Sequence, residues 1–326
     1  MATIKDVAQE AGLAVSTVSR ILNNRGYISE DARRRVDEAM KKLDYQPNEL
    51  ARSLHRKNSN LIGLIVPHIK HPYFTEVISR IEDQAYKKGY RVLLCNSQTM
   101  QKREKEYVEI CKQNRVAGII MCTGRDSLKE FENLGIPVVG WERYTDSGIP
   151  VVECDNVQGG ILAAEHLIGK GCKNILHFGT ILPLEMPGDH RYEGMKKVCD
   201  RHGVECHEEL LNTDFDYMES YEEEIMGILK QYPDVDGIFA NNDILAAQTI
   251  RACRKMGIKV PDDIKVMGYD DVFFNRIASP SITSIKQPIT AMAEHAVTIL
   301  DHAIHGKAVA ARAMFPVKLM ERESTL

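Results

Sequence analysis

The sequence predicts an all-α helix-turn-helix headpiece and hinge helix, followed by a two-lobed α/β body. Three observations carry that prediction. Residues 3–23, TIKDVAQEAGLAVSTVSRILN, hold two short stretches of helical periodicity parted by a glycine. Pro47 and the polar run 57–60 then interrupt the chain. From Leu61 onward, short apolar runs alternate with amphipathic stretches, the rhythm of parallel strands joined by crossover helices. A chain of 326 residues has room for a small headpiece and two lobes. The expected domains are 1–46, 47–60 and 61–326.

In the headpiece, Thr3 followed by Asp6 forms an N-cap with an acid in the first turn. Ile4, Val7, Ala8 and Ala11 fall at helical spacing, and Gly12 is placed to stop the helix. A second helix over 15–23 turns Val18, Ile21 and Leu22 inward and shows Ser16, Thr17, Ser19, Arg20 and Asn23 outward. Small hydroxyls, an Arg and an Asn on one face suit phosphates and base edges in a major groove. Any pair of packed helices has the same spacing, so spacing alone leaves both readings open. Ser29 caps a third helix that runs from Glu30 to near Asp44, with Val36, Ala39 and Leu43 on its apolar side and Arg33, Arg34 and Arg35 on its surface. Beyond Pro47, Asn48 can cap the segment 49–56. A helix of under three turns is mostly unfolded in water by itself, so this one is expected to order only with DNA and a second copy present.

TIKDVAQEAG followed by TVSRILN closely resembles the DNA-reading headpiece of the lac repressor family of bacterial transcription regulators. YQPNELARSL resembles that family's hinge helix, and the resemblance recurs through the rest of the chain. It implies that Ser16 and Arg20 read bases and that Val15 makes apolar contact with a thymine methyl or a base edge. Thr3, Thr17, Ser19 and Asn23 would hold phosphates, and Leu54 would wedge open a base step in the minor groove. Ile4 and Ala51 complete the expected DNA-binding set. One position departs from the family: Ala14 stands where a Ser usually caps the second helix, a difference of about 1 kcal/mol in local helix stability.

In the first half of the body, strands are expected at 61–67, 91–95, 118–122 and 137–141, with helices at 73–88, 102–114 and 127–134 between them. The second half reads as helix 157–170, strand 174–178, helix 191–202, strand 208–212, helix 220–231, strand 237–240, helix 243–255 and strand 265–269. Residues 284–287, a helix over 290–306 and the tail around 315–318 are expected to return toward the first half. The resemblance implies a body like that of periplasmic sugar-binding proteins.

Ligands of open α/β lobes collect at the carboxyl ends of strands. Matched to the family's pattern, Tyr73 and Phe74 follow the first strand. Arg191 precedes Gly194, Asn242 ends a strand with Asp243 as the cap, and Asp270 is the strand-end acid. Phe215 would offer an aromatic face to a sugar ring, and Glu142 stands where relatives often have Asp. Gln287 and Trp141, the only Trp, are further candidates. Carboxylates, an Asn, an Arg and aromatics suit a polyol, so a sugar is the expected effector. The alternative that the resemblance allows is a purine or nucleoside.

Composition bounds the remainder. Hydrophobic residues make up 44% and charged residues 27%, the balance of a globular chain. No apolar run approaches a membrane span and the N-terminus lacks a signal-peptide core, which sets the expected location as cytoplasmic with no membrane partner. The 8 Cys residues form no CxxC pair and read as free thiols, with no metal site. Residues 1–60 carry 11 Lys and Arg against 8 Asp and Glu, and the remainder 31 against 38, a basic end on an acidic body. There is no GxSxG, P-loop or HExxH, so neither catalysis nor a cofactor is expected. A stand-alone transport protein would need a signal peptide and no headpiece. The expected partners are a palindromic double-stranded DNA operator, the effector, and a second copy in a homodimer.

Overall fold

The computed structural model describes residues 2–22, 28–45, 59–98, 100–123, 131, 133–143, 148–181, 186–211 and 220–326. They separate into two compact units, Met1–Ser59 and Asn60–Leu326. In the first, α1 (Ile4–Ala11), α2 (Val15–Leu22) and α3 (Glu30–Lys42) close around Val7, Ala8, Ala11, Val18, Ile21, Val36 and Ala39. The expected capping box is present: Thr3 Oγ1 accepts from the Asp6 amide at 3.4 Å, and Asp6 Oδ2 accepts from the Thr3 amide at 2.7 Å. Gly12 ends α1 at φ 61°, where a Cβ would be strained. Arg35 is exposed, as expected, and its guanidinium also donates to the carbonyls of Ala11 and Gly12 and closes the end of α1. Asn23, the segment 49–56 with Ala51 and Leu54, and Phe215 lie outside the described residues, as do 127–130 and 132 of the helix expected at 127–134.

The second unit holds two six-stranded sheets. The first takes β1 (Leu61–Val66), β2 (Arg91–Asn96), β3 (Gly118–Met121), β4 (Val138–Trp141) and β5 (Val151–Cys154). The second takes β6 (Asn174–Thr180), β7 (Glu205–Leu211), β8 (Gly237–Ala240), β9 (Lys265–Asp270) and β10 (Thr283–Lys286). Then β11 (Arg312–Phe315) pairs with β5 at the edge of the first sheet, and β12 (Lys318–Met320) pairs antiparallel with β10. All other pairings are parallel.

Burial on both faces explains the apolar wording of β1. Ile62, Leu64 and Val66 pack with Val77 and Ile81 of α4 (Pro72–Lys87), while Ile65 packs with Val108 and Cys111 of α5 (Gln101–Gln113). The second sheet is flanked by α6 (Asn156–Gly169), α7 (His190–His202), α8 (Glu222–Gln231) and α9 (Asp243–Lys255), and α10 (Ile289–Ile304) packs back on α4 and the first sheet. Two expectations are corrected. Strand β5 was not foreseen, and 284–287 does not return to the first half, since Thr283–Lys286 runs parallel to β9 inside the second sheet. The passage to the first lobe comes only after it, at Gln287 and Pro288.

Helices α6 and α7 touch backbone to backbone. A Cβ on Gly160 would sit 1.8 Å from the Arg191 carbonyl oxygen, and one on Gly194 would sit 2.1 Å from that of Val157. Gly194→Ala is therefore expected to force the helices apart and destabilise the body by about 1–3 kcal/mol, read as a lowered urea midpoint. An unchanged midpoint would mean that the two helices part without cost.

Candidate functional site

In the headpiece, α2 presents Val15, 41% exposed, and Ser16 in its first turn and exposed Arg20 in its last, with Thr17 and Ser19 half-buried. Ile4 is half-buried against the core. Thr3 gives its hydroxyl proton to Asp6 Oδ2 at 2.8 Å, so its first commitment is to the cap. An apolar contact, a hydroxyl and a guanidinium are exposed along one short helix, which is a surface able to meet base edges and phosphates together.

In the body, the strand-end residues converge where the chain passes between the sheets. At the β10–α10 passage, Gln287 joins the lobes. Its Oε1 accepts from Tyr73 Oη at 3.1 Å, and its Nε2 donates to Asp270 Oδ1 at 2.8 Å. Trp141 Nε1 donates to Tyr73 Oη at 2.9 Å, which fixes the phenol from the other side. His71 caps α4, its Nδ1 accepting from the Tyr73 amide at 3.3 Å; burial lowers its pKa to about 3, which keeps that nitrogen an acceptor. Phe74 packs edge-on to Tyr73, ring centroids 5.0 Å apart.

The β5–α6 passage mirrors this with Asn156. Its Oδ1 accepts from Arg191 Nε at 2.8 Å, and its Nδ2 donates to Glu142 Oε2 at 3.0 Å. Glu142, one methylene longer than the Asp expected of relatives, also accepts from the Cys154 amide with its other oxygen. It thereby clasps the passage, with φ at 50°. The Arg191 guanidinium lies over the Tyr269 ring, 3.6 Å from its centroid, and Nη1 donates to both oxygens of Asn241. Asn156, Asn241 and Tyr269 were not singled out from the sequence. Asn156 follows the unforeseen strand β5, so no strand end pointed to it.

The cap assignment at 242–243 is corrected. Asp243 was expected to cap. Instead Asn242 Oδ1 caps α9, accepting from the Leu245 amide at 2.9 Å. Buried Asp243 accepts from the Val272 amide at 2.9 Å and the Ser284 hydroxyl at 2.6 Å, and burial raises its pKa to about 7.

Asp270 and Asp271 are neighbours with different tasks. Both hold positive φ, 106° and 57°, a strained backbone of the kind found at binding sites. The Asp271 side chain is 0% exposed and takes Arg322, with Arg276 and Lys286 at 3.8 and 3.7 Å. Asp270, 7% exposed, has no ion pair within 4 Å among the described residues and meets only Gln287. Burial holds its carboxyl well above the usual range, with Arg191 opposing the rise. Burial raises Glu142 as well, with the Cys154 amide and Asn156 pulling it back. A cavity of about 660 Å³ borders Asp270 and Gln287 and is walled by Pro72 and Thr75 of one lobe and Val272 and Phe273 of the other. Such a volume suits a small ligand.

Comparison with known proteins bears on both units. Residues 3–48 match the family described as bacterial regulatory proteins, lacI family, and residues 164–325 match a periplasmic binding protein-like domain. The ribose operon repressor of Halalkalibacterium halodurans is 38% identical over 326 residues, covering 100% of this chain and 97% of its own. The lac repressor dimer bound to operator and the anti-inducer ONPF superimposes with a TM-score of 0.89 at 26% identity, over 100% of this chain and 99% of that one. A periplasmic binding protein/LacI transcriptional regulator from Alkaliphilus metalliredigens, complexed with D-xylulofuranose, gives 0.76 at 36% identity, over 82% of this chain and 100% of that one.

Proposed function

This chain belongs to the lacI family of bacterial regulatory proteins, and we propose that it is an operator-binding repressor whose DNA affinity is set by a sugar held between its two lobes. One observation carries the reading. A chain with a capped helix-turn-helix also holds a largely buried polar set, Asp270, Gln287, Tyr73, Arg191, Asn156 and Glu142, that spans two of the three passages between its lobes. A ligand that donates to Asp270 or accepts from Arg191 would alter the partners of Gln287 or Asn156, and through them the angle between lobes. That is the differential contact that effector control requires. The ribose operon repressor and the D-xylulofuranose complex favour a sugar among effectors.

The working unit in this reading is a homodimer on a two-fold operator in the cytoplasm, with Leu54 and Ala51 at the minor groove and no catalytic step. Phe273 and Ile277, 71% and 75% exposed on adjacent turns, support a covered face there. Among the described residues no helix is long and apolar enough to cross a membrane.

The test lies in the headpiece. Arg20→Ala should weaken the specific operator by roughly 1–3 kcal/mol, as expected of a guanidinium paired with a guanine, and should weaken random DNA much less. An equal loss on both DNAs in a binding titration would reduce Arg20 to a backbone contact.

A further inference from the structure

We propose that the effector is an uncharged polyol and that its phosphate ester and its acid form are refused; the inference rests on the effector reading above. Arginine recognises phosphate or carboxylate through its fork, two parallel N–H groups on one anion. Arg191 has no fork left. Its Nε is given to Asn156, its Nη1 to Asn241, and its plane lies on the Tyr269 ring. Only Nη2 makes no hydrogen bond to a described residue, and one nitrogen is enough for a hydroxyl.

The neighbouring groups point the same way. Asp270 and Glu142 bring two buried carboxyls to the same small region. A hydroxyl serves a carboxyl in either form, donating to the carboxylate or accepting from the acid. A phosphate dianion is repelled by the first form and offered one proton by the second. The cations around the adjoining cavity are exposed to solvent, where an ion pair contributes little. Arg80 holds Glu76 at 2.7 Å, and Arg276 and Lys286 share Asp271. Lys70 alone among the cavity's described cations has no acid partner, and it lies exposed to solvent. Arg191 is itself buried without an ion pair within 4 Å among the described residues, but it offers a ligand one nitrogen where recognition of phosphate or carboxylate takes a fork.

The test is a thermal-shift titration of the full chain with matched sets. These are D-ribose, ribose 5-phosphate and ribonate, with the same three forms of D-xylose, D-glucose and D-fructose and with inorganic phosphate as the charge control. At least one neutral sugar should raise the midpoint, and its ester and acid should each need about a hundredfold more ligand or above for the same shift. An ester or acid that binds as tightly as its neutral parent would overturn the inference and leave the effector reading standing. If no member of any set binds at tens of millimolar, the effector reading fails and the inference with it.

Discussion

Replacing Asp271 with Ala is expected to destabilise the second lobe by about 3–5 kcal/mol, the loss typical of breaking a buried ion pair from one side. Its carboxylate is fully covered and holds Arg322, whose side chain is only 12% exposed and which also donates to the Ile282 carbonyl. Removing the acid leaves a largely desolvated guanidinium without its counter-charge. Alanine must also enter the left-handed region at φ 57°, which an Asp tolerates better. Urea unfolding of the full chain measures this. A loss below about 1 kcal/mol would mean that Arg322 finds water or another acid, and that the C-terminal segment does not brace this strand end.

The preceding residue should behave in the opposite way. Asp270→Asn keeps an oxygen for Gln287 Nε2 and suits the positive φ, so the fold should be retained. Effector affinity should fall by roughly 1.5–3 kcal/mol if the ionised acceptor takes ligand hydroxyls, while operator binding without effector stays near the parent level. Stability carries a second signature. Burial raises the folded-state pKa of Asp270, so above its ordinary value near 3.9 the folded protein holds more protons there than the unfolded chain does. By linkage, the parent loses stability as pH rises through that window. The variant lacks this contribution, so its advantage over the parent should grow from about pH 4 upward. A variant that melts much lower at every pH, with effector affinity intact, would place Asp270 in the structural framework with Asp271.

What could be read from sequence was local. The Thr3–Asp6 capping box, Gly12 and Ser29 act within a few residues of themselves, and the apolar run of β1 declares a strand covered on both faces. Strand β5 was invisible because its four residues carry a charge, Glu153, that only Arg312 of β11 neutralises, 159 positions away. With β5 went Asn156, the clasp at its exit. At 241–243, three polar residues in a row straddle a strand end and a helix start. Which one caps depends on the turn, and Asn242 takes the extended backbone of an N-cap. The separate tasks of Asp270 and Asp271 could not be told apart in sequence either, because Arg322 lies 51 positions beyond Asp271. Family resemblance supplied Arg191 and Asp270. Gln287 was a candidate as well, but its bonds to Tyr73 and Asp270, and the whole of the Asn156 clasp, had to come from the fold.

The central claim, that sugar bound in the body sets the affinity of the headpiece for its operator, has one direct measurement. A duplex carrying two half-sites is titrated with the full chain at fixed salt, with and without a saturating neutral sugar, and a scrambled duplex is run alongside. The account predicts that the sugar changes operator affinity by roughly 5–150-fold and leaves the scrambled duplex nearly unaffected. An operator affinity that does not move while the sugar is demonstrably bound would contradict it.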